Sequence, residues 1–549
     1  MILITLNNVT PMRIAMLAGI LALGVVGCAH ASKSPVQSTA TATRENSETA
    51  LVEPAANIDA TADKVEPPVR VNAMGVSGAV AMEIVPQYNE LLDGMAGELS
   101  VLIKLDGREV PEVARQPMDL AIVVDRSGSM VGDKLASVKV AALELLRRLM
   151  PEDQVTLISY STDVTVHAVH QLMDAEGIEL LRTEILALTA DSFTALGPAT
   201  EQALKILGEK SGDNRLSHVL LLSDGIANVG VADPAALGSM CAEGFKQGVS
   251  VSTIGVGLDY NEDVMTKMAD EGGGQYHYVR DEKMIVTVLE DELNGLMATV
   301  ARDMVLVVRG ENGFRVKQVF GYAATIDAAV TRIRVGSLRS GQNRDVLLLL
   351  DYDSLTSVEG ELAPLDLGLQ FTDVMNDSAH SSMRLLPTVA LTSDEKAAHD
   401  SENTEVTVRL AEVQSLEKLK TVAQAVDRGD FDEADQVITQ TIDALENQVK
   451  LTPDTKLEVQ IKELQQAKEN LSLAKTSAAE QKNYVKASKS TAYTKSKQTK
   501  GRKSTFDKIK PGSVSTKKTD KPKTRPSTPP APSNTRAKSK VSKQTSFDL

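Results

Sequence analysis

Tryptophan is absent from this 549-residue chain, and aromatic residues of all kinds make up only 3% of it. Hydrophobic residues nevertheless reach 42%, so any core must consist mostly of aliphatic side chains. A core of this composition favours an α/β domain with buried parallel strands. The length predicts two or three folded units rather than one.

Cysteine is nearly absent as well. The chain has two cysteines, Cys28 and Cys241, which excludes a network of disulfides and any metal site built from clustered thiolates.

Catalytic machinery is also missing from the sequence. The histidines are scattered, and no Ser/His/Asp set or pair of carboxylates is spaced as catalysis requires. A glycine-rich loop for binding phosphate is absent too. The chain is therefore predicted not to be an enzyme, and four histidines are interpreted as ordinary core or surface residues: His167, His170, His218 and His277.

Charge is distributed unevenly along the chain. Residues 481–549 hold 19 Lys and Arg against 3 acidic residues, a balance of +16. Because the whole chain has a net charge of −15, residues 1–480 carry −31. This segment is rich in Lys, Ser, Thr and Pro, which predicts a disordered basic tail. It either contacts an anionic polymer or surface, or folds back on its own acidic protein. Nucleic acid is not an expected partner, because few aromatic residues are present for stacking.

The longest apolar run lies near the start of the chain. Residues 14–27 are apolar but too few for a comfortable membrane-spanning helix, which is typical of a secretory signal. The run ends in Val25-Val26-Gly27-Cys28, which resembles the lipobox of bacterial lipoproteins. The resemblance implies a signal peptide over residues 1–27 and a lipid-modified Cys28 that anchors the protein in the cell envelope; the alternative is an uncleaved anchor helix. Ala29 at the next position favours the outer membrane.

Strands and helices alternate in the middle of the chain. Apolar strand runs separated by amphipathic helical stretches predict a doubly wound, mostly parallel, Rossmann-like α/β sheet. The predicted strands are 120–124, 155–160, 219–223, 249–256 and 276–279, and the clearest helix is 135–149.

Hydroxyl and carboxylate side chains follow the first of these strands. The strand at 120–124 leads directly into Asp125-Arg126-Ser127-Gly128-Ser129. Ligand sites of open α/β sheets lie at the carboxyl ends of strands. A carboxylate and two hydroxyls are hard oxygen donors, which suit Mg²⁺ first and Mn²⁺ or Ca²⁺ as alternatives, and they do not select Zn²⁺ or Cu²⁺.

This Asp-x-Ser-x-Ser motif resembles the metal-ion-dependent adhesion site (MIDAS) of von Willebrand factor type A (VWA) domains. Segment 191–197 resembles the family's second loop and segment 220–228 its third. Phe193 is a departure, because the family usually has Gly-Ser-Thr or Gly-Gly-Thr there. The resemblance implies five metal ligands: Asp125, Ser127, Ser129, Thr194 and Asp224.

The same resemblance implies a function. In the family, one coordination position of the metal stays open for an Asp or Glu of a partner protein. We therefore expect metal-dependent protein binding, for adhesion or complex assembly, by a membrane-anchored lipoprotein. Calcium-activated chloride channel proteins and inter-α-trypsin inhibitor heavy chains have the same VWA subtype. The alternatives are an envelope scaffold with a purely structural metal site, helix caps and turns without any ion, and polyanion binding through the tail.

Alternating apolar residues on both sides of the α/β region predict strands of a small β-sandwich that flanks the VWA domain or receives it as an insertion.

Arg428-Gly429-Asp430 is interpreted as a turn between helices with glycine as the C-cap, rather than as an integrin ligand. The predicted domains are a signal peptide (1–27), a disordered tether (28–68), sandwich strands (69–117), the VWA domain (118–297), the rest of the sandwich (298–400), a helical hairpin or bundle (401–480) and a disordered basic tail (481–549).

The first testable prediction concerns the anchor. Cys28→Ala should abolish acylation, because the sulfur that receives the lipid is removed, and should shift the protein out of the outer-membrane fraction. Metabolic labelling with a fatty acid, followed by fractionation, measures both effects. Unchanged fractionation of an unlabelled variant would contradict the lipobox interpretation, and Cys241→Ala serves as the control.

Overall fold

A computed structural model describes residues 74–110, 116–210, 214–327, 329–355, 361–376 and 379–497. The predicted signal peptide, tether and lipidated Cys28 lie outside the described residues, as does the basic segment 498–549. Within the described ranges, no helix combines the length and the apolar character needed to cross a membrane.

The described elements, in chain order, are as follows. The strands are β1 (Met74–Ser77), β2 (Val80–Pro86), β3 (Glu90–Leu92), β4 (Gly97–Gly107), β5 (Met118–Asp125), β6 (Gln154–Tyr160), β7 (Val164–Leu172), β8 (Leu216–Ser223), β9 (Val249–Val256), β10 (Gly273–Val279), β11 (Thr299–Gly310), β12 (Phe314–Phe320), β13 (Ala324–Ile326), β14 (Thr331–Arg339), β15 (Asn343–Tyr352), β16 (Leu365–Asp373), β17 (Ala379–Leu385) and β18 (Ala390–Thr392). The helices are α1 (Asp133–Leu146), α2 (Ala175–Ala187), α3 (Leu196–Gly208), α4 (Pro234–Lys246), α5 (Glu262–Glu271), α6 (Ile285–Met297), α7 (Glu395–Asp400), α8 (Thr404–Asp427), α9 (Phe431–Leu451), α10 (Thr455–Ala474) and α11 (Ala478–Lys497).

The α/β region forms one sheet of six strands in the order β10-β9-β8-β5-β6-β7. All neighbouring pairs are parallel except β6 with β7. Helices cover both faces, and separate aliphatic cores fill the two layers between helices and sheet. The predicted doubly wound sheet is therefore confirmed. Strand β7 is absent from the strands predicted above, because only Ala168 among its nine residues is buried and the strand has no continuous apolar run.

Two five-stranded sheets form a β-sandwich beside the α/β domain. One sheet has the order β1-β2-β4-β15-β12, and the other has the order β13-β14-β11-β16-β17. A single core of aliphatic side chains with a few aromatic rings lies between them. Strand β4 precedes the α/β domain in the chain, and β15 follows that domain. The two strands pair with each other in antiparallel orientation. The α/β domain is therefore inserted into the sandwich, as the sequence predicted.

Helices α8, α9 and α10 lie within the predicted helical segment 401–480, and α11 continues beyond it. The turn between α8 and α9 places Gly429 at φ +80°, a conformation that glycine adopts without strain, so the C-cap interpretation is confirmed. Helix α8 also packs on the sandwich, where Val406 and Val413 contact Leu102 and Leu347 in a shared apolar cluster.

One boundary of the sequence analysis is wrong. Residues 481–497 were expected to belong to the disordered basic tail, but they form most of helix α11. The few apolar side chains of this stretch carry the packing: Tyr484 and Val485 lie in the core of the helical segment, whereas Tyr493 lies in a core of the α/β domain. Composition alone hides this pattern, because tertiary contacts rather than overall hydrophobicity hold the helix.

A buried ionic cluster joins the α/β domain to the sandwich. Glu292 of α6 is 2% exposed and accepts hydrogen bonds from His277 of β10, 3.1 Å away, and from Arg339 of β14, 3.2 Å away. Burial opposes the ionisation of Glu292, but His277, Arg339 and His218 outweigh it, and its pKa lies below the usual range. Burial also lowers the pKa of His218 from 6.5 to about 4.

This cluster generates a prediction on pH and stability. The unfolded chain binds a proton at His218 near pH 6.5 and the folded chain only near pH 4, so His218 destabilises the fold as pH falls through that window. The loss is at most about 3 kcal/mol, at ~1.4 kcal/mol per pKa unit. His218→Asn should therefore flatten the dependence of the unfolding free energy on pH between 6.5 and 4.5.

Denaturant titrations at several pH values measure this slope for the wild type and the variant. His399→Asn is the control, because the His399 side chain is 82% exposed and should leave the slope unchanged. Parallel curves for His218→Asn and the wild type would contradict the assigned role.

Candidate metal centre

The five predicted ligands lie at the carboxyl edge of the six-stranded sheet. Strands β5 and β8 are neighbours, and the chain runs from β5 outward to β6 and β7 before it crosses back to β8. The strand order therefore reverses beside β5, which is where open α/β sheets form ligand crevices. The loops after β5 and β8 carry four of the ligands, and the loop before α3 carries Thr194.

Asp125 ends β5 and is fully buried. One of its carboxylate oxygens accepts a hydrogen bond from the Ser127 backbone N–H at 2.8 Å, and the other accepts one from the Ser223 hydroxyl at 2.7 Å. The two bonds fix the orientation of the carboxylate before any ligand arrives. Ser223 is absent from the ligands predicted above, although its place directly before Asp224 at the end of a buried strand is a usable signal.

The two serines of the motif connect the first loop to the third. The Ser127 and Ser129 hydroxyl oxygens are 3.0 Å apart, and the Ser129 hydroxyl donates to Asp224 at 2.7 Å. Asp224 is fully buried like Asp125. Neither serine caps the following helix through its side chain: no such bond is present at the short 3-10 turn Gly128–Met130, whose N-cap is Ser127, or at α1.

Thr194 is held against the third loop by reciprocal hydrogen bonds. Its N–H donates to the Asn228 side chain at 2.8 Å, and the Asn228 N–H donates to the Thr194 carbonyl at 3.1 Å. A bond of 2.7 Å from the Asp191 N–H to the Arg126 carbonyl joins the second loop to the first. The bulky Phe193 does not disturb this arrangement, because its ring points outward and is 52% exposed whereas Thr194 is 3% exposed.

The geometry around Gly225 tests whether these residues fit a metal ion. A Cβ atom at this glycine would lie 3.1 Å from the Thr194 hydroxyl, 3.3 Å from that of Ser129 and 3.5 Å from that of Ser127. Three hydroxyl oxygens from two loops thus surround one small space beside the two buried carboxylates. The described residues contain no group of three or more His, Cys, Asp or Glu side chains arranged to hold a metal. Only hydroxyls combined with carboxylates provide a hard donor set here, and that set fits Mg²⁺, Mn²⁺ or Ca²⁺.

Lys134 contributes a positive charge to the same cluster. Its ammonium group lies 2.5 Å from the Asp224 carboxylate, on the oxygen that Ser129 does not use. Lys134 is absent from the site residues predicted above, although a lysine in the first turn of the helix after the motif is placed to face the loop. Lys134 therefore partly neutralises the two buried carboxylates and competes with any cation for Asp224.

The proximity of the two carboxylates also affects proton binding. Burial raises the pKa of Asp125, hydrogen bonds from Ser127 and Ser223 oppose the rise, and the Asp224 charge adds to it. A nearby positive charge relieves both the desolvation and the repulsion, so the cluster favours binding of a cation.

A second polar arrangement corrects the prediction that no Ser/His/acid set is present. The Ser159 hydroxyl lies 2.8 Å from Nε2 of His167, and Nδ1 of His167 lies 2.9 Å from the Glu184 carboxylate. The distances resemble those of a nucleophile with its base and orienting acid. Ser159, however, lies within β6 and is fully buried, so no substrate reaches its hydroxyl. The three side chains join β6, β7 and α2.

Comparison with known proteins identifies the inserted domain. Residues 119–291 match the family model of the von Willebrand factor type A domain. The chain is 29% identical over 219 residues to the uncharacterized protein YfbK of Escherichia coli, a match that covers 39% of this chain and 38% of that protein. It is 27% identical over 181 residues to human inter-alpha-trypsin inhibitor heavy chain H4, covering 32% of this chain and 20% of that protein. The chain thus spans well under two thirds of both relatives.

Solved structures show the same fold. A von Willebrand factor type A protein from Catenulispora acidiphila superposes with a TM-score of 0.61 at 15% identity and covers 79% of this chain and 99% of its own. Because the coverage extends far beyond 119–291, the likeness includes part of the chain outside the matched domain.

A substitution at Gly225 tests whether a cation binds in the space between the three hydroxyls, because it leaves every predicted ligand in place. Gly225→Ala should weaken divalent cation binding roughly 10- to 100-fold, in the range of other changes beside metal ligands, because the new methyl group enters the space between the three hydroxyls. Gly225 does not require a left-handed backbone, so the thermal midpoint should change little. Isothermal titration calorimetry and thermal melts measure the two effects.

Gly368→Ala is the matched control. Its Cβ would meet nothing closer than 3.8 Å, and its backbone also accepts alanine. Equal cation affinity of Gly225→Ala and the wild type would show that the space between the hydroxyls is not the binding site.

Proposed function

Since residues 119–291 form a von Willebrand factor type A domain, a domain that generally mediates interactions between proteins, we propose that this chain binds a partner protein through a divalent cation at Asp125, Ser127, Ser129, Thr194 and Asp224. The observation that carries the proposal is the convergence of three hydroxyl groups on Gly225, beside two fully buried carboxylates. Mg²⁺ is the first choice of cation, with Mn²⁺ and Ca²⁺ as alternatives.

The roles of the side chains follow from their hydrogen bonds. Ser127, Ser129 and Thr194 supply neutral oxygens, and Asp125 and Asp224 supply the negative charge. Two carboxylates do not exceed the charge of a divalent ion, which therefore keeps its attraction for a further carboxylate. An Asp or Glu of the partner protein is the ligand that this residual charge favours, in an interface that excludes most of the water.

Lys134 adds a step to cation binding. Its ammonium group must leave Asp224, or share it, when the cation arrives, because both seek the same carboxylate. The Lys134–Asp224 pair also makes the alternative of a loop cluster without any ion concrete, since Lys134 neutralises Asp224 in the absence of a cation. Partner binding that persists without divalent cations would favour that alternative.

The proposed setting is the cell envelope, with the chain anchored through a lipid on Cys28 and facing a protein partner. The lipobox resemblance of residues 25–28 supports this setting. The proposed role is binding rather than catalysis, since the Ser159, His167 and Glu184 set is inaccessible at its serine.

The proposal predicts that carboxylate substitutions separate cation binding from folding. Asp125→Asn and Asp224→Asn should each abolish divalent binding in calorimetry, because each removes half of the negative charge while retaining the side-chain shape. Asparagine is preferable to alanine, because alanine would leave the Ser127 N–H and Ser223 hydroxyl without their acceptor, at a cost of about 1–3 kcal/mol. Both carboxylates are fully buried, which is the reason for this choice.

Capture of partners from envelope extract should fail with both variants and with EDTA-treated wild type. It should return when Mg²⁺, Mn²⁺ or Ca²⁺ is restored to the wild type alone. Asp133→Asn is the control, since Asp133 lies between the motif and Lys134 but is exposed and outside the cluster. Undiminished capture by Asp125→Asn would contradict metal-dependent binding.

A further inference from the structure

Exposed apolar side chains lie in the loops that carry the predicted ligands. Val131 follows the first ligand loop, Phe193 precedes Thr194 in the second, and Ile226 follows Gly225 in the third. Their exposed fractions are 69%, 52% and 59%, although large hydrophobic side chains are usually buried. We call these three residues the apolar rim. Each lies within two residues of a ligand, so the rim borders the place where a partner carboxylate must enter.

The rim restricts the chemistry of a ligand. A carboxylate bound at the centre of the rim gains most if an apolar side chain accompanies it, because that side chain covers the rim and excludes water from the metal bond. A highly charged acidic segment would leave Phe193 and Ile226 in contact with solvent. The favoured ligand is therefore a single Asp or Glu directly beside an aromatic or aliphatic residue.

The chain itself contains such a sequence beyond α11. Residues 498–549 include three acidic residues, Asp507, Asp520 and Asp548, and two phenylalanines. Both phenylalanines directly precede an aspartate, as Phe506-Asp507 and Phe547-Asp548, and Leu549 follows the second pair. Asp520, in contrast, lies between Thr519 and Lys521. Phe547-Asp548-Leu549 thus has one acidic side chain with an apolar residue on each side.

Charge favours contact between this segment and the rest of the chain. Residues 498–549 carry 14 Lys and Arg against the three acidic residues, a balance of +11, which leaves −26 on residues 1–497. Helix α11 already shows the same attraction. Lys482 lies 2.9 Å from Asp259, and Lys489 lies 2.7 Å from Asp263. The two aspartates belong to the stretch that follows β9 at the carboxyl edge of the sheet.

Chain length selects between the two Phe-Asp pairs. Lys497 pairs with Asp270 near the end of α5, where the chain enters β10, so the segment starts near the edge of the sheet opposite the metal centre. A strand of eight residues such as β9 spans about 26 Å at ~3.3 Å per residue. Asp507 lies only ten residues beyond Lys497, so the connection would have to be almost fully extended for Asp507 to reach the candidate metal centre around the surface. Asp548, about 50 residues beyond Lys497, has an expected end-to-end distance of roughly 40 Å for a flexible chain.

We propose that Phe547-Asp548 of the same chain docks at the apolar rim, with the Asp548 carboxylate directed to the metal centre and the Phe547 ring against Phe193 and Ile226. The proposal rests on the cation binding proposed above. The segment is then an internal ligand that occupies the site until a partner with a matching Asp or Glu displaces it. Intramolecular linkage gives it a millimolar effective concentration, so a partner must bind with higher affinity than this tail sequence.

A labelled peptide tests the proposal on the full chain. The peptide has the sequence of residues 540–549 and an amidated carboxyl end, so Asp548 supplies its only carboxylate. Fluorescence anisotropy with Mg²⁺ should show the Asp548→Asn chain binding this peptide about 10-fold more tightly than the wild type, because its own tail no longer competes. Asp520→Asn is the matched control and should behave as the wild type. EDTA, or Phe193→Ala added to the Asp548→Asn chain, should weaken peptide binding.

The possible outcomes separate this proposal from the proposed function. If calorimetry detects no divalent binding to the wild type, the proposed function itself fails. If the cation binds but the wild-type, Asp520→Asn and Asp548→Asn chains bind the peptide equally, or none binds it, the internal ligand is overturned. If competition in the wild type weakens on dilution of the protein, the tail of a second copy occupies the site and the assignment to the same chain is overturned.

Discussion

The hydrogen bonds that join the three ligand loops are the constraint on which the rest of the site depends. Backbone and side-chain hydrogen bonds connect Asp191 to Arg126 and Thr194 to Asn228. The Ser129 hydroxyl, in the loop after β5, donates a hydrogen bond to Asp224, in the loop after β8. Without them, three hydroxyls and two carboxylates from separate parts of the chain would not share one small space. The parallel sheet makes the arrangement available, because the carboxyl ends of β5 and β8 lie side by side.

The rest of the molecule supports that sheet edge. The sandwich receives the α/β domain between β4 and β11 and is tied to it by the buried Glu292 cluster, with Arg339 contributed from the sandwich side. Helix α11 adds a second tie. Tyr493 packs in a core of the α/β domain, and Lys486 donates to the Tyr260 carbonyl while its ammonium group lies 3.5 Å from the centre of the Tyr260 ring. The last described helix thus stabilises the stretch between β9 and α5.

Much of the fold could be read from the sequence, because the signals were local. Buried parallel strands appear as continuous aliphatic runs, and the Asp-x-Ser-x-Ser motif directly after one of them predicted the candidate site. The sequence could not show what depends on tertiary contact. Strand β7 buries only one of its side chains, α11 looks like a tail by composition, and Lys134 and Ser223 become part of the site only when the loops meet. The Ser159, His167 and Glu184 set is hidden for the same reason, since α2 brings Glu184 to the strands.

The central claim is that this loop cluster holds a divalent cation at the space around Gly225. A crystal of the full chain grown with Mn²⁺ and measured at a wavelength that reveals anomalous scattering from manganese tests it most directly. The account predicts an anomalous peak bonded to the hydroxyls of Ser127 and Ser129, with Lys134 displaced from Asp224. Crystals that contain manganese but show no peak in this space, with Lys134 still paired to Asp224, would contradict it.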